Sequence, residues 1–305
     1  MAVQADAIAG LNPETDTSLF LAREALAFGF RVFAYTPQNL SFSQGQIMAR
    51  GSWLDLNPAD PSFHQLSDPE YLSLAEAAVV LIRQDPPYDM AYLTTTYLLE
   101  HLPDTTRVIN SPRGIREAPE KLLVTHFPHL MPPSLISWDE TLIEGFIAAH
   151  GRAVLKPLYS FGGQDVILID HTNWRKELAQ FRDHYREPPM IQLFLPEVRE
   201  GDRRVLLIDG EPVGVVLRIP QPGDIRSNTC LGGRAESCPL RDRDVEICRE
   251  IAPRLRALGL FLVGIDIIGN YLTEINVTSP TSFMLYHRLT GENLARRFWE
   301  TLLKS

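Results

Sequence analysis

The stretch Gly264-Ile265-Asp266-Ile267-Ile268-Gly269-Asn270-Tyr271-Leu272-Thr273-Glu274-Ile275-Asn276 decides the reading of this chain. It reads as two apolar strands joined by a Gly-Asn turn. Asp266, Glu274 and Asn276 set oxygen donors into a run otherwise suited to a core. Bare carboxylates in such surroundings carry a large desolvation cost unless something pairs them. A hard cation is the natural partner. Mg²⁺ takes a few carboxylate oxygens and completes its octahedron with water and substrate phosphate. The segment therefore points to a metal–nucleotide site; the plainer reading is an acidic pair at an exposed sheet edge.

Parity tests the idea. A strict two-residue turn at Gly269-Asn270 pairs Asp266 with Thr273 and turns Asp266 away from Glu274 and Asn276, because paired residues share a face. A three-residue connection or a one-residue bulge brings all three to one face, with Gly269 or Asn270 in the left-handed conformation. The sequence predicts that irregularity.

Outward from this hairpin, the 305 residues leave room for one large domain or two to three smaller ones. Hydrophobic content of 45% and charged content of 22% are those of a soluble globular protein. The net charge of -9 argues against nonspecific nucleic-acid binding, which runs on excess Lys and Arg. Cys230, Cys238 and Cys248 have no metal-type spacing and fit a reducing, cytoplasmic compartment. No apolar run approaches the ~20 residues of a membrane helix. The N-terminus shows no signal peptide.

Three units follow one another. In the first, Asp16 caps a helix closed by Gly29, residues 31–35 and 77–82 read as buried strands, and residues 92–101 as a helix. This βα alternation implies a small, mostly parallel sheet, with residues 39–69 as a hairpin or long insertion. Only five residues precede Asp6, so either its opening strand is very short or the chain begins late. The second unit is a compact α+β arrangement with helices at 139–150 and 174–185. The third opens with a hairpin about Asp209-Gly210, and residues 219–236, rich in Gly, Pro, Arg and Asn, read as a lid. A helix at 242–258, the acidic hairpin and a last helix at 291–303 complete it.

Several side chains suit an anionic ligand. Lys156 ends an apolar strand, where its ammonium can serve a phosphate or simply snorkel to solvent. Gly162-Gly163 lets backbone N–H groups approach phosphates. Lys121 is a second candidate. Residues 192–195 read as an edge-like strand able to take a purine between apolar side chains, with Asp202 on a ribose hydroxyl or capping a turn. Arg204 and Arg218 sit near one another on the two arms of the Asp209-Gly210 hairpin, with room for an anion between them. Arg83 lies at the carboxyl end of a parallel strand, where such sheets place ligands. His126-x-x-His129 reads as surface, since Phe127-Pro128 breaks the helical spacing of a metal pair.

The motifs Ile82-Arg-Gln-Asp-Pro-Pro-Tyr-Asp89, Asn110-Ser-Pro112, Glu120-Lys-Leu122, Leu155-Lys-Pro-Leu158, Gly201-Asp-Arg-Arg-Val205, Leu217-Arg-Ile-Pro220, Leu231-Gly-Gly-Arg234 and the run 263–281 cover nearly the whole chain. In that order they resemble the bacterial glutathione synthetases of the ATP-grasp superfamily. The resemblance implies a mixed α/β and α+β chain: an ATP-grasp fold with an N-terminal Rossmann-like (pre-ATP-grasp) domain. Its parts would be a substrate domain at 1–118, a lid at 119–195 and a C-terminal domain at 196–305. It implies a cytoplasmic, homo-oligomeric ligase acting on γ-glutamylcysteine, glycine and ATP, with no nucleic acid or membrane partner. Lys121, Lys156, Gly162 and Gly163 would then serve the ATP phosphates, and Gln192, Leu193, Phe194, Leu195 and Asp202 the adenosine. Asp266, Glu274 and Asn276 would hold Mg²⁺, with Mn²⁺ as a substitute. Arg204 and Arg218 would act on the reacting groups, and Arg83, Ser18 and Arg234 on the peptide.

Three features depart from the family pattern. Ser282-Phe283-Met284-Leu285 stands where a small residue and Ile-Arg-Glu are expected, Gln84 where a base is expected, and the first strand is short. None removes an expected ATP or metal ligand. A related ligase with another peptide or amine, or a nucleotide-binding homologue without catalysis, is the alternative.

Overall fold

The computed structural model describes residues 1–57, 64–227 and 232–305. The first sheet is built from β1 (Ala2–Gln4), β2 (Val32–Tyr35), β3 (Leu40–Ser43), β4 (Gln46–Leu56), β5 (His64–Leu66), β6 (Glu70–Ser73), β7 (Val79–Ile82) and β8 (Arg107–Ile109). Strands β2, β1, β7 and β8 run parallel in that order. The expected mostly parallel sheet is thus only half of it. Residues 40–73 add four antiparallel strands around the long β4, and the sheet is mixed. The short opening strand lies at its centre. Every β1 side chain is buried, and Gln4 donates to Gln84 at 2.7 Å, so the glutamine in place of a base completes an internal amide pair.

Helix α1 (Thr17–Ala27) begins where the Asp16 carboxylate accepts from the Leu19 N–H at 2.7 Å, and ends before Gly29 at φ +83°. Helix α2 (Met90–Leu99) is capped in the same way by Asp89. Two short helices follow, α3 (Pro112–Glu117), which sequence reading missed, and α4 (Glu120–Leu123), which carries Lys121.

The second sheet is wholly antiparallel. It contains β9 (Ser134–Ile136), β10 (Ala153–Lys156), β11 (Ile167–Ile169) and β12 (Met190–Leu193), in the order β11-β10-β12-β9. With α5 (Glu140–His150) and α6 (Trp174–His184) it buries a core of its own around Ile143, Leu155, Trp174, Phe181 and Ile191. Strand β12 is interior rather than edge-like, because β9 covers its second side.

The third sheet runs β15-β14-β13-β16-β17. Its strands are β13 (Asp202–Ile208), β14 (Glu211–Ile219), β15 (Arg234–Ser237), β16 (Leu262–Ile268) and β17 (Tyr271–Asn276). Asp209 and Gly210 both take positive φ, the pattern of a type I′ hairpin. Helix α7 (Asp242–Ala257) contributes Ile247, Ile251 and Leu255 to a core that joins Val205 and Ile265 of this sheet to Phe33 and Val80 of the first. Helices α8 (Phe283–Thr290) and α9 (Leu294–Leu302) complete the chain. The departing segment opens α8, with Ser282 at φ +88° and Phe283 fully buried.

The suspected lid is shorter than read, since β14 continues to Ile219 and β15 begins at Arg234. Residues 228–231 of that stretch, with Cys230 and the first residue of the 231–234 motif, lie outside the described residues. No helix among the described residues is long and apolar enough to cross a membrane.

Candidate active site

The acidic hairpin carries its irregularity, but not in the turn. Gly269 alone takes a positive φ there, the pattern of a tight type II′ turn, and Ile268 faces Tyr271 across it. The register then slips at Thr273, so that Asp266 faces Glu274 and Gly264 faces Asn276. Thr273 is the extra residue of a β-bulge, and its hydroxyl donates to the Asp266 carbonyl at 3.1 Å. That slip brings all three oxygen-bearing side chains to one face.

Across β16, Arg204 of β13 lies opposite Asp266. The row therefore reads Arg204, Asp266, Glu274 over three strands. Arg218 is not close to opposite Arg204, contrary to expectation; Arg204 faces Val216. Arg218 pairs with Asp202, two residues along, on the same face. The anion between the two arginines is Asp266 itself. Arg204 grips it with Nε and with Nη2 at 2.8 Å, and Arg218 reaches its Oδ1 at 2.9 Å. Arg218 also pairs with Asp202. Gly264 makes room for this grip, since an added Cβ would stand 3.1 Å from Arg204 Cδ.

The other wall comes from the second sheet and α4. Lys121 Nζ lies 3.0 Å from Glu274 Oε1 and donates to the Ser160 carbonyl. Lys156 donates to Gln192 Oε1 at 3.0 Å, and Gln192 in turn donates to Ser134 Oγ. Gly162 and Gly163 both take positive φ, at +63° and +77°. Between the walls lies an open cleft of about 840 Å³, the solvent at its mouth included. All nine residues expected at the nucleotide line it, as do Asp266 and Glu274.

Ser18 and Arg83 are brought together elsewhere, at the ends of α1 and β7. Both are buried, and Arg83 Nε donates to Ser18 Oγ at 3.1 Å, leaving Arg83 Nη1 without a partner. Ser279, just beyond β17, donates to the Gln84 carbonyl and ties this corner to the acidic hairpin. Arg234 is not part of either cluster. Its side chain is 72% exposed and pairs with Glu236. Sequence reading missed Phe161, Val198, Ser227 and Ile268 in the cleft wall. An aromatic immediately before Gly162-Gly163 is a signal that was available; Val198, in a short turn after Pro196, offered none.

The charges balance without a ligand. Glu120, Asp202, Asp266 and Glu274 face Lys121, Lys156, Arg204 and Arg218. Burial opposes ionisation of Asp266, but Arg204 and Arg218 outweigh it and hold its carboxyl well below the usual range. Burial pushes Asp202 up to about 6 against the pull of Arg218. Burial, aided by the Glu274 carboxylate, pushes Glu120 up to about 7. Burial brings Lys156 down to about 8. Such shifts mark groups held out of water near fixed charge.

The donor set fits a hard cation. It offers two carboxylates and an amide on one face; among the described residues no group of three or more His, Cys, Asp or Glu is gathered as a metal site. Asn276 now turns its amide nitrogen to Asp266 at 3.4 Å, and a flip of that amide presents its oxygen instead. Asp202 Oδ1 is buried in the cleft wall without a partner, an open acceptor for a hydroxyl.

Residues 1–116 match the family model of the prokaryotic glutathione synthetase N-terminal domain, and residues 120–291 that of the prokaryotic glutathione synthetase ATP-grasp domain. The chain belongs to the prokaryotic glutathione synthetase family. The glutathione synthetase of Agrobacterium fabrum is 44% identical over 306 residues, covering 100% of this chain and 96% of that protein. That of Synechocystis sp. is 38% identical, covering 96% and 95%. Solved structures share the fold. D-cycloserine synthetase DcsG superposes with a TM-score of 0.72 at 14% identity, covering 99% of this chain and 98% of that one. The ATP-grasp ligase PsnB, complexed with minimal precursor, Mg and ADP, superposes with a TM-score of 0.64 at 16% identity, covering 99% and 97%. The glutathione synthetase family thus combines here with an ATP-grasp fold and a Rossmann-like N-terminal sheet.

Proposed function

We propose that this protein is an ATP-dependent ligase that joins γ-glutamylcysteine to glycine through an acyl phosphate, as its family name indicates. The observation that carries the reading is the row Arg204, Asp266, Glu274 with Asn276 beside a cleft lined by Lys121, Lys156 and the Gly162-Gly163 turn. ATP is assigned to that cleft. Lys121 and Lys156 would take its phosphates, the Gly162-Gly163 backbone would close over them, and Gln192 to Leu195 with Asp202 would hold the adenosine. Residues 119–195 would form the moving lid, residues 1–118 the peptide domain and residues 196–305 the metal-bearing domain.

A carboxylate is a poor electrophile, and phosphorylation gives its carbon a good leaving group. The glycine nitrogen then forms the C–N bond, the C–O bond to phosphate breaks, and phosphate leaves while the nitrogen sheds a proton. Asp266, Glu274 and Asn276 would hold Mg²⁺, which neutralises charge on the transferring phosphoryl group. With a cation on those carboxylates, the side chains that neutralise them in this structure would be released from them. Arg204, Arg218 and Lys121 would then meet phosphate and carboxylate oxygens instead. Closure of the Gly162-Gly163 loop would exclude water from the acyl phosphate. Arg83 Nη1 and Ser18 support a place for the peptide at the ends of β7 and α1.

ADP release measured with each substrate omitted tests the proposal. The expected result is ADP formation that needs γ-glutamylcysteine and is completed by glycine. Release indifferent to γ-glutamylcysteine rejects it.

A further inference from the structure

The two cleft lysines are held in different ways. Lys121 has a charged partner in Glu274 and a second acceptor in the Ser160 carbonyl. Lys156 has no such acid. Among the described residues its ammonium is bonded to one group, Gln192 Oε1 at 3.0 Å. A buried ammonium with a single acceptor depends on that acceptor being presented to it. An amide has two ends, and the other one would set an NH₂ group against the ammonium.

The group that orients the amide lies outside the cleft. Gln192 stands opposite Ser134 of β9 on one side and Val154 of β10 on the other. Paired residues share a face, so Ser134, Gln192 and Val154 form one row, and Lys156, two residues beyond Val154, lies on that face too. Gln192 Nε2 donates to Ser134 Oγ at 2.8 Å, and Ser134 Oγ donates to the Pro132 carbonyl at 2.8 Å. A backbone carbonyl only accepts, so the serine proton is committed to it. The serine oxygen is left to accept. That turns the amide nitrogen toward Ser134 and the amide oxygen toward Lys156. The chain of bonds from Pro132 to Lys156 therefore runs in one sense only. Its origin is pinned as well. The Leu130 carbonyl accepts from the Leu272 N–H at 2.8 Å, and the Pro133 carbonyl from the Leu193 N–H at 2.9 Å. Ser134 itself does not line the cleft.

We propose that Ser134 is a positioning residue for ATP: through the Gln192 amide it holds the Lys156 ammonium with its remaining N–H groups toward the phosphates. The inference rests on the assignment of ATP to this cleft and adds a side chain remote from the nucleotide to the groups that hold it.

MgATP binding to the full chain, followed by isothermal titration calorimetry, tests it. Ser134→Ala lets the amide turn over and should weaken MgATP by about fivefold, the worth of one hydrogen bond. Ser134→Thr returns the hydroxyl and should restore the affinity. In a Lys156→Met background, Ser134→Ala should cost nothing further, because the group it acts through is gone. The KM values of Ser134→Ala for γ-glutamylcysteine and glycine should stay within about twofold of wild type. Unchanged MgATP affinity in Ser134→Ala overturns the inference. So does a loss that persists in the Lys156→Met background, which gives the serine another route to the nucleotide. A loss that Ser134→Thr does not repair, or an equal rise in KM for all three substrates, makes the residue structural and overturns it too. Wild-type ADP formation that ignores γ-glutamylcysteine rejects the ligase reading, while the MgATP affinities still decide this inference. A wild-type protein that does not bind MgATP overturns both.

Discussion

Replacing Asp266 by asparagine keeps its shape and removes its charge. The carboxylate now serves two buried arginines. Arg218 keeps Asp202 as a partner, but among the described residues Arg204 has no other acid. One buried guanidinium is therefore stranded. Removing one partner of a buried pair costs about 3–5 kcal/mol, and the retained amide oxygen places this case at the low end, about 3 kcal/mol. With about 2 °C per kcal/mol for a chain of this size, the melting midpoint of the nucleotide-free protein should fall by about 6 °C. Glu274→Gln removes a single contact from Lys121, which retains the Ser160 carbonyl, and should cost only about 1 kcal/mol. The pH profile adds a check on sign. The folded-state value of Asp266 is depressed, so its contribution is present in full above the ordinary carboxylate value of 3.8 and fades as pH falls through the lower folded value. The gap between wild type and Asp266→Asn, followed by differential scanning fluorimetry, should hold from pH 8 to pH 5 and narrow only in strong acid. A gap below about 2 °C at neutral pH, or Glu274→Gln melting lower than Asp266→Asn, would refute the reasoning.

Glu274→Gln, though mild for the fold, should lower kcat by about 100-fold or more, and near-wild-type turnover would contradict its assignment to the metal. The Lys156 ammonium, brought down to about 8, is lost as pH rises through that value, so the KM for ATP should climb above pH 8 in wild type. Unfolding should show the opposite sign: between about 8 and the ordinary 10.5 the unfolded chain binds more protons, and the nucleotide-free protein gains stability there. Lys156→Met should raise the KM for ATP at neutral pH and abolish both trends; retention of either assigns it to another group. Gly264→Ala should cost about 1–3 kcal/mol by crowding Arg204 and Pro280, with activity falling in parallel; wild-type behaviour would show that Arg204 can yield.

The strands and helices with strong periodicity were legible, as were their caps at Asp16 and Gly29. So was the need for a register slip beside Asp266, because parity is a property of the chain alone. Its place was not. A bulge at Gly269-Asn270 and one at Thr273 satisfy the same parity, and only the pairing of Ile268 with Tyr271 and of Ile267 with Leu272 excludes the former. The hairpin read at 39–69 is present as β3 and β4, but the further strands β5 and β6 were hidden, because their alternation is broken by polar residues at a solvent-facing edge. Neighbour relations were the weakest part. Nothing in residues 190–195 reveals that β9 covers their outer side. A strict count from Asp209-Gly210 already sets Arg204 opposite Val215, three residues short of Arg218, and the irregularity between Leu206 and Leu207 shifts the pairing by one residue, placing Arg218 beside Asp202. Ion pairing inside the site was equally out of reach, since it depends on three strands meeting in one row.

The slip at Thr273 has a consequence for what this gene can tolerate. Excision of that single codon would restore strict alternation and still leave Asp266 opposite Glu274 and Gly264 opposite Asn276, because the residue removed is the unpaired one. What would go is the hydroxyl that ties the bulge to the Asp266 carbonyl. Excision of Ile275 instead would set Asn276 opposite Ile265 and turn it into the core. A shortening by one codon is therefore tolerable at the threonine and ruinous two codons later, where length is under stricter control than identity.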